Sequence, residues 1–149
     1  MPILLDTSIL GRLANHSDPM RVIASTAIGR SHLQRESFVI TSRNLVEFSN
    51  FATRPVAANG LGLSSSAAQS FVDQFEQSFP LLEETPDIFP GWKKIVQSLG
   101  VVGKQVHDAR LVAVCHVHAI LKLMTFNVAH FARFSGVTPG IVVIDPATV

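Results

Sequence analysis

Charge is scarce in this chain. Asp, Glu, Lys and Arg make up 15% of the 149 residues, with 12 Lys and Arg against 11 Asp and Glu for a net charge of +1. That balance excludes a protein that coats nucleic acid through a global field; any nucleic acid must be gripped by a local patch. It also suits a chain whose surface is partly covered by a partner. The single cysteine, Cys115, excludes an internal disulfide, and its apolar helical surroundings mark it as a buried thiol. No apolar run approaches the roughly 18 residues that a bilayer span needs. Met-Pro-Ile-Leu-Leu-Asp at the N-terminus has neither a basic region nor a cleavage site, so no signal peptide and a cytoplasmic location are expected. Gly60-Leu61-Gly62 lacks the lysine and flanks of a phosphate loop, and no serine sits in a nucleophile elbow. Cys115, His116 and His118 have the composition of a metal cluster, but neighbours on one helix point to different sides and do not converge.

Hydrophobic residues, by contrast, make up 47% of the chain, enough for one domain with a real core, expected to span residues 1–149. Ile3–Asp6 lacks polar alternation and reads as a strand buried on both faces. A short helix is expected over Thr7–Asn15. Asp18-Pro19, an acid followed by proline, starts a second helix that runs to about Arg35. Phe38–Thr41 is the second strand, and Ser42 is the expected cap of a helix over Arg43–Ala52, which stops before Arg54-Pro55. Val56–Leu63 is a loop, Ser64–Gln77 a helix capped by its serines, and Phe79–Leu82 a third strand. Helices are expected from Pro86-Asp87 to about Leu99 and over Lys104–Ala119, the latter apolar nearly all round and therefore central. Ile120–Thr125, Asn127–Phe134 and Ile141–Ile144 complete the chain as strand, helix and strand. The alternation predicts an α/β fold in which a parallel sheet is covered on both faces by helices.

Four oxygen-bearing side chains fall near the ends of these strands. Asp6 ends the first, Asn127 follows the fourth, and Glu47 and Asp108 lie on helices that reach the same edge. Beyond the carboxyl ends of a parallel sheet lies its ligand crevice. Carboxylates gathered there raise each other's pKa and destabilise the empty fold, a penalty that a hard divalent cation reverses. Each residue has an ordinary alternative: Asp6 as a helix cap, Glu47 as a solvated helix residue, Asp108 as a first-turn acid facing the helix dipole, Asn127 as a turn residue.

The motifs around these residues resemble the PIN-domain nucleases. Leu4-Leu5-Asp6-Thr7-Ser8-Ile9-Leu10 is similar to the family's opening motif, Asn44-Leu45-Val46-Glu47-Phe48 to its second, Val106-His107-Asp108-Ala109-Arg110 to its third, and Thr125-Phe126-Asn127-Val128-Ala129-His130 to its fourth. The resemblance covers essentially the whole chain. At this size it is closest to the toxins of VapBC-type toxin–antitoxin pairs. It implies a three-layer α/β/α sandwich and a Mg²⁺- or Mn²⁺-dependent endoribonuclease. It also implies a homodimer held inactive by a cognate antitoxin. Asp6, Glu47 and Asp108 would hold the metal, with Asn127 completing the catalytic set and Thr7 or Ser8 supporting it through a hydroxyl. Metal-activated hydroxide would then cut RNA in line, leaving 5′-phosphate and 3′-hydroxyl ends. The fourth motif departs from the pattern: many relatives carry acids where this chain has Asn127 and His130. An amide ligates without adding charge, so one strong metal site is favoured over two. Arg12, Arg43, Arg54 and Arg110 are candidates for phosphate contacts, and Phe126 for stacking on a base or for the core.

Two readings compete within the fold: a housekeeping RNA-processing nuclease, and an inactive interaction module suggested by the amide at Asn127. A phosphoacceptor signalling domain expects a pair of adjacent acids after the first strand; Asp6 stands alone.

Overall fold

The computed structural model describes residues 1–137 and 139–149. Five parallel strands, β1 (Pro2–Leu5), β2 (Ser37–Thr41), β3 (Leu81–Leu82), β4 (Lys122–Met124) and β5 (Val142–Ile144), form one sheet in the order β3-β2-β1-β4-β5. Seven helices are described: α1 (Thr7–Ala14), α2 (Met20–Leu33), α3 (Ser42–Thr53), α4 (Ser65–Ser78), α5 (Ile88–Leu99), α6 (Gln105–Val117) and α7 (Val128–Phe131).

Side-chain alternation on the strands splits the core in two. Ile3 and Leu5 of β1, Phe38 and Ile40 of β2 and Met124 of β4 face a cluster built from α1, α2, α3 and α4. Leu4 and Leu123 face the opposite way, into a cluster built mainly from α5, α6 and the segment around Phe131 and Phe134. A strand whose successive residues enter two different cores has no polar face, which is why Ile3-Leu4-Leu5 is continuously apolar. The result is the expected three-layer α/β/α sandwich. Buried Ala109, Val112, Ala113 and Cys115 make α6 the central helix of the second layer. Burial pushes the Cys115 thiol up to about 12, so it is an inert core residue.

Local chemistry sets the boundaries. The Asp18 carboxylate accepts the Met20 N–H at 2.8 Å and starts α2 as its sequence suggests. The cap of α3 is a correction: Thr41, not Ser42, holds that place. Its hydroxyl accepts the Asn44 N–H (3.1 Å), and the Asn44 amide oxygen accepts the Thr41 N–H (3.0 Å), so the two close a capping box. Ser42 is already inside the helix and reaches out to Glu84. The helix after Leu82 begins at Ile88, later than Pro86-Asp87. It ends on Gly100 in the left-handed region (φ 61°), with the Val101 N–H returning to the Val96 carbonyl at 3.2 Å. The third and fourth strands are shorter than expected, and the helix after Asn127 tightens after one turn into a 3₁₀ segment over Ala132–Gly136. The Val56–Leu63 loop holds one 3₁₀ turn, Val56–Ala58.

Phe48 anchors α3 to α4. It is fully buried and meets Phe75 edge-on (5.1 Å, 89°) and Phe71 (6.2 Å, 70°). Phe48→Ala should lower unfolding free energy in urea by about 3–5 kcal/mol. A loss under about 1 kcal/mol would show that this contact does not carry the layer.

Candidate active site

The strand order reverses at β1: the chain passes outward to β2 and β3 on one side and to β4 and β5 on the other. Neighbouring strands whose connections leave in opposite directions open a crevice at their carboxyl ends. Asp6 stands at the end of β1, and Thr125 and Asn127 lie just beyond β4. A cavity of about 700 Å³ opens there, and Asp6, Glu47, Asp108 and Asn127 all line it. Four residues from four separate motifs thus meet in one concavity.

Asp6 is 8% exposed and occupies the N-cap position of α1, yet its side chain caps nothing. Its Oδ2 instead accepts the hydroxyls of Thr125 (2.7 Å) and Ser8 (2.9 Å). Those hydroxyls are fixed in turn: Thr125 Oγ1 accepts the Asn127 N–H (2.9 Å), and Ser8 Oγ accepts the Phe126 N–H (3.1 Å). Burial pushes the Asp6 carboxyl above the usual range; the two hydroxyls and the Thr7 backbone N–H pull it back, and Glu47 pushes it up further. Asp108, half-buried on α6, is raised by burial first, then by Asp6, with His130 opposing and Glu47 adding. The three acids therefore share one field.

Glu47 is held differently. Its Oε1 accepts from Arg43 Nε (3.0 Å), one helical turn earlier, and its Oε2 accepts the Thr7 hydroxyl (2.9 Å). Thr7 in turn accepts from Asn44 Nδ2 (3.0 Å), so a buried relay runs from the cap of α3 through Asn44 and Thr7 to Glu47. No three His, Cys, Asp or Glu side chains among the described residues are grouped closely enough to hold one ion. The donor chemistry nonetheless fits a hard divalent cation: a buried carboxylate with only neutral partners, and a second carboxylate raised by burial and by the first, line one open cavity.

Sequence reading placed all four residues at this edge and anticipated hydroxyl support from Thr7 and Ser8, both of which give it. It missed Thr125 and Asn44. Thr125 is a polar residue ending an apolar strand, and Asn44 stands three residues after Thr41 as the partner in a capping box; those were the available signals. The arginine candidates divide. Arg12 is paired with Asp18 and lies over the Phe126 ring, and Arg110 bonds Glu84 (2.6 Å). Arg54 lines the cavity with no carboxylate partner among the described residues. Phe126 packs, partly buried, against the core, which is the ordinary reading of it. His130 is exposed but near enough to act on Asp108.

The sequence matches the PIN domain family over residues 3–137, and the chain belongs to that family. No curated relative matches it by sequence. Among solved structures it resembles VapBC-1 of nontypeable Haemophilus influenzae (TM-score 0.68, 16% identity, 98% of each chain covered). It also resembles VapBC2 of Rickettsia felis bound to a promoter DNA fragment (0.66, 15%, covering 97% of this chain and 98% of that one). A toxin–antitoxin complex of Klebsiella pneumoniae is similar at TM-score 0.63, 20% identity and 97% of each chain. At these identities the likeness is one of fold.

The raised acids give a pH test. A carboxyl whose pKa is higher folded than unfolded contributes stability that is fully present below its ordinary value near 4 and is lost as pH rises through the folded pKa. Glu36, which Lys122 holds low, slopes the other way; comparing variant with parent cancels it. In chelator, Asp6→Asn should therefore melt above the parent at pH 7, with the gap closing towards pH 4. A cation at ten times its Kd adds about 1.4 kcal/mol, roughly 3–6 °C at this chain length. Millimolar Mn²⁺ should raise the parent by that order and the variant far less; equal shifts would remove Asp6 from any metal site.

Proposed function

We propose that this protein is a divalent-metal-dependent endoribonuclease and acts as the toxin of a toxin–antitoxin pair. The observation that carries the nuclease reading is the convergence of Asp6, Glu47, Asp108 and Asn127 on one cavity at the switch point of the sheet. The toxin reading is supported by family membership, by near-complete coverage of chains from toxin–antitoxin complexes, and by the absence from the described residues of any helix long and apolar enough to cross a membrane. A partner antitoxin, a homodimer and action on cytoplasmic RNA belong to the same proposal.

Mg²⁺ or Mn²⁺ would be held by Asp6, Glu47 and Asp108, and when bound would supply Lewis acidity toward water and the scissile phosphate. The chain does the rest. Thr125 and Ser8 lock the Asp6 carboxylate against the end of β1. Thr7 and Asn44 fix the position of Glu47. The Asn127 side chain offers a neutral amide at the rim, and Arg54 offers a cation for a flanking phosphate. Hydrolysis is expected to leave 5′-phosphate and 3′-hydroxyl ends.

The test is to incubate purified protein with end-labelled tRNA and rRNA fragments, with Mn²⁺ or with chelator, and to map product ends. Cleavage should require the metal, and expression of the parent should arrest bacterial growth. Asp6→Ala should abolish cleavage while keeping the parent's circular dichroism. Thr125→Val, which removes only a partner of Asp6, should lower it about 10–100-fold. Metal-independent cleavage, or parental activity in Asp6→Ala, would overturn the proposal. Cleavage without growth arrest would favour an RNA-processing enzyme of the same fold.

A further inference from the structure

A second concavity, of about 440 Å³, adjoins the carboxylate site. Arg43 and His107 belong to both: they line this groove, and they line the small cleft that contains Asp6, Glu47 and Asp108. Arg43 NH2 and His107 Nδ1 are 2.6 Å apart, so the two side chains form the wall between the spaces. The floor of the groove is apolar. Phe89 on α5 is 65% exposed, unusual for a phenylalanine, and its ring lies nearly parallel to that of Trp92 (5.8 Å, 27°). Trp92 is held in place because its indole N–H donates to the Val106 carbonyl at 2.7 Å. Arg43, His107 and Arg110 stand at the rim, the two arginines each with an ion-pair partner outside the groove lining, Glu47 and Glu84, that an incoming phosphate would have to replace.

An exposed aromatic on a fixed aromatic support, flanked by two arginines and a histidine and adjoining the carboxylate cleft, has the chemistry of a base-stacking site for a single-stranded nucleic acid. Resting on the nuclease reading above, we propose that this groove holds a base of the RNA substrate beside the scissile phosphate, stacked on Phe89, with Arg43 and Arg110 facing the adjoining backbone. An acidic or aliphatic protein segment would satisfy either the rim or the floor. A nucleotide satisfies both, and the wall shared with the carboxylate cleft places it next to the bond to be cut.

Trp92 is the chain's only tryptophan and so reports on its own groove. The experiment titrates single-stranded octauridylate into the protein in chelator. It follows Trp92 fluorescence alongside the anisotropy of a fluorescein-labelled copy of the same RNA. Saturable quenching that overlays the anisotropy curve is expected. Phe89→Ala should weaken binding about 5–150-fold, the range for losing one stacked base, and Phe89→Tyr should restore it. In metal, Phe89→Ala should raise KM with kcat little changed. Binding without quenching, no binding at millimolar oligomer, or parental affinity in Phe89→Ala would overturn the inference. So would a Phe89→Ala variant that turns a dimer into a monomer in light scattering with RNA affinity unchanged, since the surface would then join two copies. Parental cleavage by Phe89→Ala would remove the groove and leave the nuclease standing. Quenching by RNA in a parent that cuts nothing would do the reverse.

Discussion

The arrangement depends on an ionisable group placed where water scarcely reaches it. Asp6 ends the innermost strand, sits against a fully buried threonine, and has no salt-bridge partner among the described residues; only neutral groups, two hydroxyls and the Thr7 backbone N–H, answer its charge. A buried carboxylate without a counter-charge is unfavourable, and a fold keeps one only where something else compensates. Here a second acid, Asp108, faces the same space and is raised in turn. Carboxylates gathered at the mouth of a sheet, one raised by the charge of the other, have the chemistry proposed above to receive a divalent cation.

Glu47, the third acid of the cavity, has both oxygens bonded within the protein. Arg43 and Thr7 occupy its oxygens, and the relay from Thr41 through Asn44 to Thr7 joins that site to the end of β2. The same Arg43 borders the aromatic groove through His107. One arginine thus touches the acid that would join the cation and the surface proposed to receive the substrate.

Much of this was legible in the sequence because it rests on local rules. A run such as Ile3-Leu4-Leu5 admits only a strand between two apolar layers, and the strand-end positions of Asp6 and Asn127 follow once the strands are placed. The Thr41 cap was missed because Ser42 beside it is equally competent by composition; only the backbone geometry at the end of β2 separates them. Thr125 was missed as a partner of Asp6 because their contact spans 119 positions, and pairing of β1 with β4 alone creates it. The engagement of Glu47 by Arg43 was open to notice as an i,i+4 pair, but the Thr7 hydroxyl on its other oxygen comes from 40 positions away and appears only in the fold. The groove at Phe89 had no sequence signal, since an exposed phenylalanine reads like a core one until its neighbours are known.

The most direct test is to count the cation. Calorimetric titration of Mn²⁺ into metal-free protein at neutral pH should give saturable binding at about one ion per chain. Asp108→Asn should weaken that binding strongly, while a core substitution remote from the cavity should leave it intact. A flat titration of correctly folded parent protein, or an isotherm unchanged by Asp108→Asn, would contradict the claim that these acids are gathered to hold a metal.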